Sequence, residues 1–394
     1  MASEQNTSPE PISAPFQFSK VLLLSFSHFI HDVYSSFLAP LLPLLIEKLS
    51  LSLTQAGFLT TIVQIPSLVN PYLGALADRL NVRLFIIIAP GITALTMSLI
   101  GVADNYATLL FLLFIAGCST AIYHVPAPVL MYRFAGSRKG LGMSFFMTGG
   151  ELARAAGPII AVSAVALVGL EHIYPIMLAG LLTSLLLYHQ FKHIPPSPLK
   201  KEPPSLRAAW SSASHVLRPI TGILLFRGFM HACIGTFLPT FINQNTGNLW
   251  LAGLSLAVYE TSGVCGALTC GFLSDKIGRR TTLLLSLVLA PPLLFLFLLT
   301  DQTWLQILFL IGVGFTVLST TPVMLALVQE NAGDNPATVN GFFMMISFMS
   351  RSAVVVVVGA IADAIGLEKT YYLGAALGVL ALPFILSLPK DQKE

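Results

Sequence analysis

Gly271 to Arg280 reads GFLSDKIGRR, and Gly74 to Arg83 reads GALADRLNVR. Each is a short basic break between two long apolar runs. Their aspartates, Asp78 and Asp275, stand 197 residues apart in a chain of 394. SFFM (144–147) aligns with GFFM (341–344) at the same offset, and seven residues on Arg154 aligns with Arg351. At an offset of 200, HFIHDVYSSFL (28–38) lies beside GFMHACIGTFL (228–238) and pairs His31 with His231. A repeat of half the chain length means that one structural unit occurs twice.

Hydrophobic residues make up 55% of the chain and charged residues 10%, and the mean hydropathy is +0.80. Soluble domains carry roughly 25% charged residues, so a soluble, disordered or fibrous protein is excluded. A spanning helix takes about 20 mostly apolar residues. Counting apolar runs between polar breaks gives twelve: 20–46, 53–76, 84–103, 107–132, 140–168, 172–191, 218–242, 249–273, 281–300, 303–328, 337–362 and 369–388. The expected fold is an all-α integral membrane protein of twelve transmembrane helices in two six-helix repeats, 20–191 and 218–388, related by an axis along the membrane normal. The net charge of +3 forms no basic stripe, so nucleic acid is not an expected partner.

An even number of spans puts both termini on one side. With both inside, sixteen of the 21 Lys and Arg residues fall in cytoplasmic segments and two, Lys48 and Lys369, outside. That bias predicts cytoplasmic termini. Residues 1–19, with Glu4 and Glu10 and no basic opening, read as a disordered tail rather than a signal peptide, and 389–394 as a second tail. The break at 192–217 holds five prolines and Lys200 and Lys201, which makes it a linker. Its end carries a stripe of Leu206, Trp210, Ala213 and Leu217 that suits a surface helix. The four cysteines fall in apolar stretches and read as packing residues.

Ionisable groups at bilayer depth cost about 2.5–3.5 kcal/mol to insert and face the bundle interior, so each is a functional candidate. In the first span His28 and Asp32 share a face at i, i+4, with His31 beside them. They are a candidate proton-coupling group, or else an aspartate neutralised by its neighbour and packed. In the fifth span Glu151 and Arg154 are three apart. Either they form a packed ion pair, or Arg154 offers its fork to a substrate anion while Glu151 takes up the proton. Arg351, the repeat mate of Arg154, is expected to face it across a central cavity, unless it snorkels. Arg227 and His231 lie four apart in the seventh span. Glu260, a third candidate for the proton, is expected to pair with Arg227, Arg351 or His231. His124, followed by the helix-breaking Pro126 and Pro128, completes the candidate substrate contacts with Tyr34 and Tyr123, each of which also reads as an interhelical or packing group. Asp363, Glu330 and Asp334, near span ends, read as surface groups. No metal-ligand or P-loop spacing occurs, so neither metal nor cofactor is expected.

The pattern G-x-x-x-D-[RK]-x-G-[RK]-[RK] after the second helix of each half resembles the loop motif of the major facilitator superfamily. The second copy is complete at Gly271, Asp275, Lys276, Gly278, Arg279 and Arg280. The first keeps Gly74, Asp78 and Arg79 but carries Asn81 and Val82. An aspartate at a helix end holds basic neighbours and the adjacent helix N-terminus by charge, so these residues are expected to gate the conformation, or simply to set topology. HFIHDVYSSFLAPLLPLL (28–45), YHVPAPVLM (123–131), GGELARAAGP (149–158) and Glu260 resemble the fosmidomycin-resistance efflux family. That resemblance implies the major facilitator fold and proton-coupled efflux of small polar or amphiphilic compounds. Gly157-Pro158 looks like a truncated antiporter motif, with Ala161 and Val162 where a glycine pair usually follows.

The expected function is proton-coupled antiport efflux of a small polar or anionic compound or drug, a fosmidomycin-like phosphonate among the candidates. The alternative is proton symport of an organic anion such as a carboxylate. An enzyme is not expected, because no catalytic spacing accompanies the repeat. The expected partners are a small-molecule substrate, protons and membrane lipid, and the expected state is a monomer in the inner membrane.

Overall fold

All twelve apolar runs fall on helix, as far as a computed structural model describes them; it covers residues 15–70, 83–136, 138–194, 206–332 and 336–390. The helices are α1 (Phe18–Leu49, broken between Ser35 and Leu38), α2 (Leu53–Val69), α3 (Arg83–Val102), α4 (Tyr106–Ala135), α5 (Lys139–Val168) and α6 (Leu170–Phe191) in the first half. The second half holds α7 (Leu206–Gly235 with Leu238–Thr246), α8 (Leu249–Ile277), α9 (Arg279–Leu299), α10 (Thr303–Glu330), α11 (Pro336–Ile365) and α12 (Leu367–Leu386). Among the described residues, ten of these runs are long and apolar enough to cross a membrane. The two pieces of α7, bent by 41°, make an eleventh, and α2 is a shorter apolar helix next to residues 71–82, which lie outside the described set.

The stripe expected to form a surface helix belongs to α7, which runs unbroken from Leu206 through Pro219. Ala213 and Leu217 are fully buried, Trp210 stands edge-on to Phe342 at 5.4 Å, and His215 bonds Asn331 at 3.2 Å. Protein therefore covers the end of the stripe at Ala213 and Leu217, while Leu206 (50%) and Trp210 (36%) at its start stay exposed. The rest of the linker, 195–205, and the first tail, 1–14, lie outside the described residues.

The duplication is visible in the backbone. Ser50 (φ 50°) and Gly247 (φ 65°) are left-handed and end the first span of each half, 197 residues apart. Gly169 (φ 79°) and Gly366 (φ 86°), at the same offset, end α5 and α11. A Cβ at either would meet nothing within 4 Å, so φ alone is the reason for glycine there. The following helices are capped locally: Ser52 and Gln55 form a capping box on α2, and Asn248 accepts from Leu251 N on α8.

Packing follows the same symmetry. α1 lies on α5 as α7 lies on α11, α3 on α6 as α9 on α12, and α3 on α4 as α9 on α10. The halves meet through α2 on α11 and α5 on α8. Small residues permit the close approach: a Cβ on Gly57 would sit 2.8 Å from the Val355 carbonyl, and one on Gly253 2.6 Å from Val162. These contacts lie at the end of the bundle that carries the α1–α2 turn, so the halves are closed there.

Asp363 is part of that closure, not the free surface group its position suggested. Its carboxylate accepts from Leu53 N (2.7 Å), Thr54 N (2.8 Å) and Thr54 Oγ1 (2.5 Å). An acid at the end of α11 therefore caps the start of α2 in the other half, where the helix N-terminus presents unpaired N–H groups. Asp363→Ala should cost the closed form about 1 kcal/mol, roughly a fivefold shift toward separation of the halves. Distance distributions between spin labels at the start of α2 and the end of α11 should broaden to longer values. An unchanged distribution would remove Asp363 from the closure.

Candidate functional site

Four side chains of α1 and α4 meet at one point. Asp32 Oδ2 lies 3.2 Å from His28 Nε2, and Oδ1 lies 2.8 Å from His31 Nδ1 and 3.3 Å from His124 Nε2. The i, i+4 spacing on α1 brings His28 over Asp32. His124 arrives from α4, at the last residue before the break that Pro126 introduces. Helix α5 closes the site through Gly149-Gly150. A Cβ on Gly150 would sit 2.6 Å from His28 Cε1 and 3.2 Å from Asp32 Oδ2, and one on Gly149 2.5 Å from the Ser25 carbonyl.

Each ring is held from behind. His28 Nδ1 faces the Phe146 carbonyl at 2.7 Å, and its ring stacks on Phe146 at 4.0 Å. His124 Nδ1 faces the Thr120 carbonyl at 3.0 Å. His31 is fully buried, stacks on Tyr123 at 4.5 Å, and meets Thr93 Oγ1 at 3.1 Å through Nε2. Thr93 donates to Ser119 (2.8 Å), which donates to the Ala89 carbonyl (2.9 Å). A hydroxyl chain through α3 and α4 thus anchors the histidine–carboxylate group.

The second group joins the halves. Arg154 on α5 is ion-paired with Glu151 one turn back, and its Nε lies 3.8 Å from Glu260 Oε2 on α8. The structure therefore gives Glu260 the partner that sequence reasoning had not named: Arg154, rather than Arg227, Arg351 or His231. The Arg154 side chain is 52% exposed although it sits mid-helix between α1 and α8, so the space it faces lies inside the protein. Arg351 lies within electrostatic range of both Arg154 and Glu260, and His231 within range of all three arginines.

Other candidates turn away from that space. Arg227 is 4% exposed and its Nη1 donates to the Val317 carbonyl (3.0 Å), Thr320 Oγ1 (2.5 Å) and Thr321 Oγ1 (3.1 Å) on α10, while its Nε is buried with no partner among the described residues. Tyr123 is buried against Ser27 Oγ at 2.7 Å, and Tyr34 donates to the Ile176 carbonyl. His231 Nδ1 bonds Tyr259 OH at 3.0 Å.

The description Major Facilitator Superfamily belongs to a family model that matches residues 24–355. The chain belongs to the major facilitator superfamily. It is a multi-pass membrane transporter, not an enzyme. It is 24% identical over 371 residues to the fosmidomycin resistance protein of Escherichia coli (strain K12), across 91% of this chain and 90% of that one. It is also 24% identical over 364 residues to a probable 4-methylmuconolactone transporter of Cupriavidus pinatubonensis, across 87% and 85%. Among solved structures, a bacterial homologue of the human lysosomal transporter Spinster, inward-facing and occupied, superposes with a TM-score of 0.82 at 14% identity, covering 95% and 97% of the two chains. Nucleoside transporter NupG gives 0.77 at 15% identity, covering 93% and 98%.

The loop motif of this superfamily protein is engaged in its second copy. Arg279 pairs with Asp275 (2.5 Å) and with Glu330 (2.8 Å), so Glu330 ties the end of α10 to the loop instead of standing free on the surface. Gly278 takes φ 95°, where a side chain would be strained. Lys276 lies over the Phe272 ring at 4.4 Å, Arg280 donates to the Leu388 carbonyl (3.5 Å), and Gly271 has open space around its Cβ position. Gly74, Asp78 and Arg79 lie outside the described residues, as does Asp334. Arg83 nevertheless donates to the Ile194 carbonyl at 2.5 Å, beyond α6, just as Arg280 does beyond α12.

Sequence reasoning missed Thr93, Ser119 and Gly150. The hydroxyls carry no spacing signal, since their contacts cross helices. The glycine pair Gly149-Gly150 is plain in the sequence, but its meaning is steric and depends on α1. Gly150→Val should lower stability by about 1–3 kcal/mol through overpacking. The thermal midpoint should drop by several degrees while far-UV dichroism is kept; an unchanged midpoint would show that α5 does not press on His28.

Proposed function

We propose that the protein is a proton-coupled secondary transporter of a small anionic or polar compound, with phosphonates and carboxylates as the first classes to try. The observation that carries this reading is the position of Arg154 between Glu151 on its own helix and Glu260 on the opposite half. One cation balances two carboxylates at membrane depth, where an uncompensated charge is costly. A substrate anion that takes the guanidinium fork leaves the carboxylates without their partner, and each is then stabilised by a proton. Release of the anion restores the ion pairs and expels the proton, so this coupling carries anion and proton together and by itself favours symport over exchange. Arg351 adds positive charge on the substrate side. Rocking of the halves changes the α5–α8 contact, so the charge exchange and the alternating access act on the same helices.

The relative named fosmidomycin resistance protein supports export. The bias of Lys and Arg toward one set of loops supports cytoplasmic termini in an inner membrane, and the transporter is read as a monomer. A second reading, proton symport of an organic anion, is favoured by the relative named a probable 4-methylmuconolactone transporter.

Inside-out vesicles with an acidified lumen and a pH dye test both. Alkalinisation on adding a phosphonate, an organic acid or a drug is the result for antiport; further acidification means symport. Arg154→Gln should abolish the substrate-driven signal. Glu260→Gln should keep substrate binding within a few-fold while losing proton movement. Undiminished proton-driven transport in both Glu151→Gln and Glu260→Gln would overturn the assignment of the exchange to these acids.

A further inference from the structure

We propose that His28, Asp32 and His124 bind a divalent transition ion of the zinc class from the space between the halves. The first observation concerns protons on the rings. His28 Nδ1 faces the Phe146 carbonyl and His124 Nδ1 the Thr120 carbonyl. A carbonyl only accepts, so both Nδ1 atoms carry hydrogen and both Nε2 atoms of the neutral rings present lone pairs. Those Nε2 atoms point at each other across 3.3 Å and at the two Asp32 oxygens across 3.2 and 3.3 Å. Three electron-pair donors face one another, an arrangement that is repulsive unless a cation sits among them.

The distances say which cation. A proton joins one pair of atoms, and a charge-assisted N–H···O bond runs about 2.7–2.9 Å. The Nε2–Nε2 separation and the two Nε2–carboxylate separations, one to each Asp32 oxygen, are all longer, whereas His31 Nδ1 meets Asp32 Oδ1 at 2.8 Å. A tetrahedral ion with bonds of about 2.0–2.2 Å to nitrogen and oxygen spaces its ligand atoms about 3.3–3.5 Å apart. Two imidazoles and a carboxylate suit zinc, cobalt and nickel rather than magnesium or calcium. Among the described residues this is the one group whose His, Cys, Asp or Glu ligand atoms converge in that way.

The surroundings are those of a metal site. Both histidines donate their second ring nitrogen to a backbone carbonyl, which fixes orientation and raises ligand basicity. Asp32 is held by His31, and His31 by Thr93. The side chains of Asp32 and His124 are 16% and 36% exposed, so an ion has a way in. Three protein ligands leave a fourth position open. His124 is within electrostatic range of Arg154, so water or an anionic oxygen of a bound compound suits that position.

The test uses the full-length chain without a histidine tag, purified in detergent and stripped with a chelator. Co2+ should give the visible absorption of a four-coordinate ion, and Zn2+ should displace it and raise the thermal midpoint. His28→Ala, Asp32→Asn and His124→Ala should each weaken Zn2+ binding about tenfold or more. His124→Gln, at the most exposed ligand, serves where a buried variant does not fold. Glu260→Gln should bind Zn2+ as the native chain does, which separates this site from the anion and proton coupling. Absence of a Co2+ spectrum, or Zn2+ affinity unchanged in the ligand variants, would overturn the proposal.

Discussion

A guanidinium half-way along a membrane helix has no water to screen it, so its charge has to be answered by other protein groups. In this transporter Arg154 is answered twice, by Glu151 on α5 and by Glu260 on α8. The second contact crosses between the halves. It makes the inter-half seam polar at its centre, while glycine-mediated contacts and the Asp363 cap close it at one end. Association in lipid gains little from apolar burial, so close backbone approach and such polar contacts decide how helices meet.

The two halves share a backbone but not a chemistry. Left-handed residues end equivalent helices at Ser50 and Gly247 and at Gly169 and Gly366. Arg83 and Arg280 reach carbonyls in the same relation to α6 and α12. The side chains have diverged: where the first half has His28 and Asp32, the second has Gly228 and Ala232. His231 is retained but turns to Tyr259, and Arg227 is absorbed by α10. The histidine–aspartate group is therefore the property of one half.

Much of the site was legible because helical spacing is local. His28 over Asp32, and Glu151 over Arg154, follow from i, i+4 and i, i+3 geometry. The break that places His124 follows from Pro126. The roles of Asp363 and Glu330 were not legible: an acid near a span end is usually solvated, and only the arrival of another element made them a cap and an ion-pair partner. The stripe from Leu206 to Leu217 is divided, exposed at Leu206 and Trp210 and buried at Ala213 and Leu217. An apolar stripe shows that a face is covered, not whether lipid or protein covers it.

The sequence by itself determined the number of helices, their duplication, and which residues carry charge into the membrane. Each of these depends on hydropathy and periodicity, which are set residue by residue along the chain. The tertiary structure alone decided that Glu260 answers Arg154, that Arg227 is buried against α10, and that His124 joins His28 and Asp32 around one point. Those outcomes depend on how helices distant in sequence are rotated and packed. A single pattern of apolar and polar residues is compatible with many such rotations, and close packing selects one.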